Sequence, residues 1–324
     1  MTPRRIIVIG ASAGGLSALQ ALFAELDPTM PAAVFAVLHT ASDSRSLTSI
    51  LGRNSKLPVQ AAANGPFEAG VIYVAPPDIH LTLERNGMRL IQGPKENRHR
   101  PSIDVLFRSA GFVYRHAVIG VVLTGMLDDG TAGLFYVKRY GGMTIVQDPN
   151  DAEFKSMPLN ATAHVKVDYI IPLRQISEVL NRLARMAMAP MEINLPGAGS
   201  SVADAIREED EKAGIPTLYP CPECQGPLME IRNGMLSRYR CRAGHAYGLN
   251  SLSYSQAEST ERLLWSALQS LQAKAELEKT LAEIAGTQDD PLSLAYRKRY
   301  DESQRSIKLL KEALALSGKE GSIA

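Results

Sequence analysis

Short apolar runs alternate with amphipathic stretches over the first 187 residues, and that alternation predicts the architecture. Ile6-Ile7-Val8-Ile9 is a β-branched run too short to cross anything but a sheet, and it predicts a buried parallel strand. Further runs predict strands at Ala33 to Leu38, Val71 to Ala75, Ile119 to Thr124, Met143 to Val146 and Tyr169 to Ile171. Between them, apolar positions step by threes and fours, as in Leu16, Leu19, Leu22 and Phe23, which predicts helices. Strands separated by helices favour a doubly wound, mainly parallel, Rossmann-like α/β sheet, with chemistry at the carboxyl ends of its strands.

The pattern breaks over residues 188–217, where Pro190, the run from Pro196 to Ser201 and the charges from Arg207 to Lys212 read as a linker with room for one short helix. Residues 218–248 hold a Cys/His cluster. From Ser251 onward, Leu264, Leu268, Leu271 and Ala275, then Tyr296, Tyr300, Ser303, Ile307, Leu310 and Leu314, recur at helical spacing. Two helices broken near Gly286 to Pro291 are expected, as a hairpin, an oligomerisation coil or a pair packed on the Cys/His module. The expected organisation is therefore an α/β domain over 1–187, a linker over 188–217, a small module over 218–248 and a helical tail over 249–324.

With 324 residues and 45% hydrophobic content, the chain can bury a sizeable core. Its net charge of +1 gives no global field for nucleic acid. The apolar stretch behind Arg4-Arg5 is too short for a secretory signal, and no run is long enough to span a membrane. A bacterial-type cytoplasmic protein is expected.

The three cysteines all fall within 221–241, an odd number that suits a metal better than disulfides. Cys221-Pro-Glu-Cys224 followed by Cys241-Arg-Ala-Gly-His245 gives C-x2-C-x16-C-x3-H. Three thiolates and one imidazole suit tetrahedral Zn²⁺, and four protein ligands imply a structural site. Arg232, Arg238, Arg240 and Arg242 make the module locally basic, but Glu223 and Glu230 interrupt the basic surface, so protein docking or stapling is expected there rather than nucleic-acid binding.

Candidate chemistry gathers at the predicted strand ends. Gly10-Ala11-Ser12-Ala13-Gly14 fits a G-x-S-x-G elbow, in which small neighbours permit a tight turn and helix-start N–H groups can receive an oxyanion. A glycine-rich phosphate turn of a dinucleotide fold is the alternative, disfavoured because Ser12 replaces the middle glycine of G-x-G-x-x-G and no acidic residue clearly ends the second strand. A hydrolytic serine needs a base, a carboxylate to hold that base, and oxyanion donors. His39 follows the second predicted strand, and Asp129 lies in Leu123-Thr-Gly-Met-Leu-Asp-Asp-Gly130 after a strongly apolar one. Asp128 competes with Asp129 for the acid's place. His80, His99, His116 and His164 show no paired ligand spacing and are expected to be structural or exposed.

These segments, taken in order, resemble the catalytic domain of the chemotaxis protein-glutamate methylesterase family over residues 5 to about 187. The resemblance rests on IGASAGG (9–15), VLHT (37–40), Tyr73-Val-Ala-Pro76, Asn97-Arg-His-Arg-Pro-Ser-Ile-Asp-Val-Leu-Phe107 and LTGMLDDG (123–130). It implies Ser12 as nucleophile, His39 as general base and acid, Asp129 as the carboxylate orienting His39, and the N–H groups of Ala13 and Met126 as oxyanion donors. Arg98 and Arg100 are implied either to engage acidic receptor surface or to brace the loops, with bracing favoured. The implied activity is hydrolysis of γ-glutamyl methyl esters on a receptor's helical bundle, with glutamine deamidation sometimes accompanying it and no cofactor needed for catalysis. The implied partner is a methylated chemoreceptor-like protein; the tail suggests a regulator or self-association. A non-enzymatic adapter built on the same domain is the rival, disfavoured by the complete Ser-His-Asp set.

Three departures stand out. Ala13 replaces the family's usual threonine, Thr40 follows His39 where methionine is common, and the first catalytic strand begins near Arg5, which predicts a stand-alone form without a receiver domain to control it.

Overall fold

A computed structural model describes residues 3–40, 44–85, 87–187, 201–286 and 290–320. In chain order, the first half of the α/β domain runs β1 (Arg5–Ala11), α1 (Gly15–Glu25), β2 (Ala32–Leu38), α2 (Ser44–Gly52), β3 (Val59–Ala61), β4 (Ile72–Val74) and a hairpin of β5 (His80–Glu84) and β6 (Gly87–Ile91). It continues with α3 (Ile103–Tyr114), β7 (Val118–Val122), α4 (Thr131–Arg139), β8 (Met143–Gln147), α5 (Ser156–His164), β9 (Tyr169–Ile171) and α6 (Leu173–Arg185).

Seven strands form one sheet in the order β3-β4-β2-β1-β7-β8-β9, and every pairing is parallel. The central strands β1, β2 and β7 are buried along their whole length, which is why they read as unbroken apolar runs rather than alternating ones. One face of the sheet packs on α1, α2 and α6 through Leu19, Leu22, Phe23, Leu51, Ile176 and Leu180. The opposite face packs on α3 and α4 through Ile103, Phe107, Val113, Leu134 and Val137. Leu16 of α1, expected on the apolar stripe, is 37% exposed. Strands β3, β5 and β6 escaped the sequence reading; they are short, and β3 is largely solvent-facing.

The chain leaves β1 outward through β2 and β4, then returns to β7 beside β1 and proceeds outward the other way. Consecutive loops therefore splay apart at the carboxyl ends of β1 and β7, the crevice where doubly wound sheets bind ligands.

Of the expected linker, residues 188–200 lie outside the described residues. Residues 202–213 form α7 (Val202–Ala213), opened by a capping box between Ser201 and Asp204. Antiparallel strands β10 (Gly214–Pro220), β11 (Pro227–Asn233), β12 (Leu236–Cys241) and β13 (Ala246–Gly248) build the module that carries the Cys/His cluster. This module, α7 and the α/β domain make one compact unit, Met1–Leu252.

Buried ion pairs tie the module in. Arg238 of β12 reaches Glu96 at 3.1 Å and Asp210 of α7 at 2.6 Å, while Arg108 of α3 donates to both oxygens of Glu96 at 2.9 and 2.8 Å. Burial pushes the Glu96 carboxyl up, but the Arg108 and Arg238 charges outweigh it and hold it down at about 2, against an ordinary 4.5. Its ionisation thus adds stability above about pH 4.5 that is lost as pH falls through about 2. Glu96→Gln is expected to cost about 3 kcal/mol near pH 7 and to flatten the acid limb of stability. Denaturant unfolding followed at several pH values checks it; an unchanged acid limb would show that the pair contributes nothing net.

The second unit, Ser253–Ala324, is a helical pair. Helices α8 (Leu249–Ile284) and α9 (Pro291–Glu320) bury Leu268, Ala275 and Ile307 against each other, with Leu271, Tyr300, Leu310 and Leu314 alongside. Much of the apolar stripe read from sequence is thus used within the hairpin. Among the described residues, no helix is long and apolar enough to cross a membrane.

Candidate active site

Ser12 sits in the turn between β1 and α1, its N–H donating to the Thr124 carbonyl at 3.0 Å, so the loop after β7 is stitched to the elbow itself. Gly14, at φ 71, closes the turn in the left-handed region. His39 follows β2 directly, and its N–H donates to the Ala11 carbonyl at 3.2 Å. Its ring bridges the other two residues: Nδ1 lies 3.2 Å from Ser12 Oγ, and Nε2 lies 3.0 Å from Asp129 Oδ2. The Nε2 contact is close but not aligned as a hydrogen bond, as is common before substrate binds. The side chains of His39 and Asp129 are only 6% and 3% exposed.

Asp129 is held by an array of donors. Its Oδ1 accepts from Asn97 Nδ2 at 2.8 Å, Ser102 Oγ at 2.9 Å and the Asp104 N–H at 3.2 Å; Oδ2 accepts from the Ile103 N–H at 2.8 Å. Ile103 and Asp104 open α3, so the carboxylate occupies that helix's N-terminus, where unpaired N–H groups and the dipole favour negative charge. Burial works against ionisation, yet His39 and Asn97 prevail and hold the Asp129 carboxyl well below the usual range. Asp104 shares the same pocket and moves the opposite way: burial and the Asp129 charge push it up to about 7. Asp104 Oδ1 accepts from the Gly130 and Gly133 N–H groups at 3.0 and 2.6 Å.

Of the neighbouring pair of acids, Asp128 turns away from His39. Its carboxylate accepts from the Asn250 and Ser251 N–H groups at 2.9 and 3.2 Å and from the Ser251 hydroxyl, at the start of α8. Both acids are buried, and apart from the family resemblance, which pointed to Asp129, the local sequence held nothing to separate them.

The expected oxyanion segment lies beside the serine: a Cβ added at Gly125 would fall 2.9 Å from Ser12 Cβ. Met126, next along, is 40% exposed. The Ala13 carbonyl accepts from Thr124 Oγ1 at 3.0 Å, fixing that peptide. Arg100 donates to Asp78 through Nε and Nη2 at 3.0 and 2.7 Å and to the Gly93 carbonyl at 2.7 Å, so its guanidinium spans two loops. Arg98 has φ 73 and lies in the same turn.

Three contributors went unread in the sequence. The His99 ring stacks on that of His39 with centroids 3.6 Å apart and planes 9° from parallel. Burial and the neighbouring His39 push the His99 imidazole down to about 4, so a neutral ring lies against that of His39. Asn97 and Ser102 complete the Asp129 pocket; their membership in the Asn97–Phe107 segment was the one available signal. His80 is structural, accepting from the Ser102 N–H at 3.2 Å and contacting the Pro94 carbonyl at 2.9 Å.

The Cys/His cluster is assembled. Cys221, Cys224, Cys241 and His245 bring their ligand atoms within 4.8 Å of one another. Cys224 Sγ and Cys241 Sγ are 3.6 Å apart, and His245 Nδ1 lies 3.7 Å from Cys221 Sγ and 3.5 Å from Cys241 Sγ. Tetrahedral Zn²⁺ with bonds of about 2.3 Å to sulfur and 2.0 Å to nitrogen sets ligand separations of about 3.5–3.8 Å.

Much of the α/β domain resembles known proteins. The CheB methylesterase family model matches residues 7–180. A Leptospira interrogans protein, provisionally named for methylesterase and glutaminase activity, is 38% identical over 183 residues, covering 55% of this chain and 93% of that protein. The protein-glutamate methylesterase/protein-glutamine glutaminase of Yersinia pestis is likewise 38% identical over 183 residues, but only 52% of its length is covered, so this chain matches about half of that relative. The crystal structure of the Thermotoga maritima CheB methylesterase catalytic domain superposes with a TM-score of 0.53 at 34% identity, covering 55% of this chain and 98% of that one.

Proposed function

We propose, from the premise that this chain belongs to the CheB methylesterase family, that it hydrolyses γ-glutamyl methyl esters on the cytoplasmic helical bundle of a chemoreceptor-like protein. The observation that carries the reading is the Ser12–His39–Asp129 relay at the switch point of the sheet, within hydrogen-bond reach at both steps.

In this reading the His39 tautomer follows from its partners. Asp129 is ionised and accepts only, so Nε2 carries the proton and Nδ1 is left as the base facing Ser12. Ser12 Oγ attacks the ester carbonyl while His39 Nδ1 takes its proton. The N–H groups of Ala13 and Met126 receive the developing oxyanion. Collapse expels methoxide, protonated by His39 to methanol, and leaves an acyl-enzyme. Water then gives its proton to His39 and attacks; Ser12 leaves with that proton, freeing the glutamate carboxylate. A glutamine side chain enters the same sequence with ammonia as the leaving group, which makes deamidation the companion reaction. The exposed Met126, next to Gly125 beside Ser12, suits a side chain presented from a protein surface.

The function is tested by methanol release from methylated receptor cytoplasmic fragments, with enzyme pre-inactivated by a fluorophosphonate as the blank. Release from the active protein alone is expected; no release from any of several receptors would overturn the substrate assignment.

We further assign Cys221, Cys224, Cys241 and His245 as the ligands of one structural Zn²⁺, a set whose spacings suit a tetrahedral ion and which leaves no position for a catalytic water. The purified full chain is expected to contain about one zinc per chain by elemental analysis, lost in Cys221→Ser. Absence of bound metal after purification in zinc-supplemented buffer would overturn the assignment.

A further inference from the structure

We infer that the Cys/His module is a positioning element of the active site, acting through Asn97 and Asp128; this rests on the esterase reading and on the zinc assignment above. The two amide hydrogens of Asn97 go to Asp129 Oδ1 at 2.8 Å and Asp104 Oδ2 at 2.7 Å, so this one side chain divides two buried carboxylates. Its amide oxygen and its backbone N–H are both taken by the module. The Gly248 N–H donates to Asn97 Oδ1 at 2.7 Å, and the Asn97 N–H donates to the Ala246 carbonyl at 2.7 Å. Asn97 holds φ 49, a left-handed conformation that asparagine tolerates and that these contacts fix in place.

A second tie arrives from the other side of the catalytic loop. Asp128 precedes Asp129 in the chain and is fastened to the first turn of α8 through Asn250 and Ser251. Gly248 is packed against that carboxylate: an added Cβ would fall 2.3 Å from Asp128 Oδ2, so only glycine leaves room for it. The triad acid is thus gripped by residues 246–251 through Asn97 and through its own neighbour. His245 is the last metal ligand and immediately precedes Ala246, so metal binding and the grip on Asp129 share one continuous stretch of chain. Removing the metal frees that stretch, lets Asn97 rotate and loosens Asp129 behind His39. Misplacement of a catalytic group by about 1 Å costs roughly 100-fold in rate.

The test uses the full chain and two readouts: the rate at which a fluorophosphonate labels Ser12, and kcat and KM for methanol release. Chelation of the metal is expected to lower labelling and kcat by about 10- to 100-fold with KM changed less than about twofold. Asn97→Ala is expected to lose most of that factor, and chelation in that variant to add less than it costs the wild-type protein, because only the tie through Asp128 is then left to release. Gly248→Ala retains all four metal ligands; it is expected to keep its zinc and still lose labelling, which separates positioning from collapse of the module. Should Gly248→Ala fail to fold, Asp128→Asn, which keeps one acceptor oxygen in the same space, is expected to lose part of the rate while retaining metal. Metal-dependent labelling without methanol release would overturn the substrate reading and leave the positioning role standing. Wild-type labelling and kcat in both the metal-free protein and Gly248→Ala would overturn the positioning role.

Discussion

Ser12→Ala is expected to lower kcat for methyl ester hydrolysis by on the order of 10⁵- to 10⁶-fold and to abolish fluorophosphonate labelling, with substrate binding little changed. Removing one oxygen breaks the step that every later step depends on, because no acyl-enzyme can form. The fold should tolerate the change. Ser12 Oγ contacts His39 Nδ1 at 3.2 Å, whereas the turn is held by backbone bonds from Ser12 N to the Thr124 carbonyl at 3.0 Å and from Gly15 N to the Ser12 carbonyl at 2.8 Å. A variant with unchanged unfolding and no turnover is the expected result. Turnover above about 1% of the wild-type rate would show that some other group supplies the nucleophile.

Asp129→Asn is expected to lower kcat by about 10⁴-fold, and the hydrogen bonds around it say why. Four donors converge on Oδ1: Asn97 Nδ2, Ser102 Oγ and the N–H groups of Asp104 and Gly130. The amide oxygen of an asparagine must take that position, which turns its NH₂ toward the Ile103 N–H and His39 Nε2. Donor would face donor. The ring relieves this by moving its proton to Nδ1, and the nitrogen beside Ser12 ceases to be a base. Asp129→Ala removes the obstructing NH₂ but also the charge that stabilises the imidazolium, so it is not expected to restore the rate. Single-turnover methanol release measures both variants. A loss below about tenfold for Asp129→Asn would mean that His39 is oriented by other contacts, with the His99 ring stacked 3.6 Å away the first to consider.

What the sequence determined follows from local rules. Unbroken β-branched runs such as Ile6 to Ile9 specify strands buried on both faces, and small residues around Ser12 specify a turn tight enough to present its hydroxyl. Those signals, with the family's ordered segments, made Ser12, His39 and Asp129 readable as a set, since each follows a recognisable apolar run. The Cys/His spacing was equally local, because each short pair of ligands is set by a single turn.

The rest depended on contacts between residues far apart in the chain. Asp128 and Asp129 are adjacent acids in one turn, and they differ because α3 presents its N-terminus to Asp129 and α8 to Asp128. Bracing was the favoured sequence reading of Arg100, but its partner Asp78, 22 residues away in the chain, appears only in the fold. His99 had no ligand spacing to mark it; it matters because its turn stacks it on His39. The ties between the module and the α/β domain within the unit Met1–Leu252 were likewise hidden, because Glu96, Arg108, Arg238 and Asp210 come from four separate segments and neutralise one another only when buried together. Sequence pattern fixes which face of an element is apolar, whereas the pairing of buried charges and amides is a property of the assembled interior, where an unpaired group costs far more than in water.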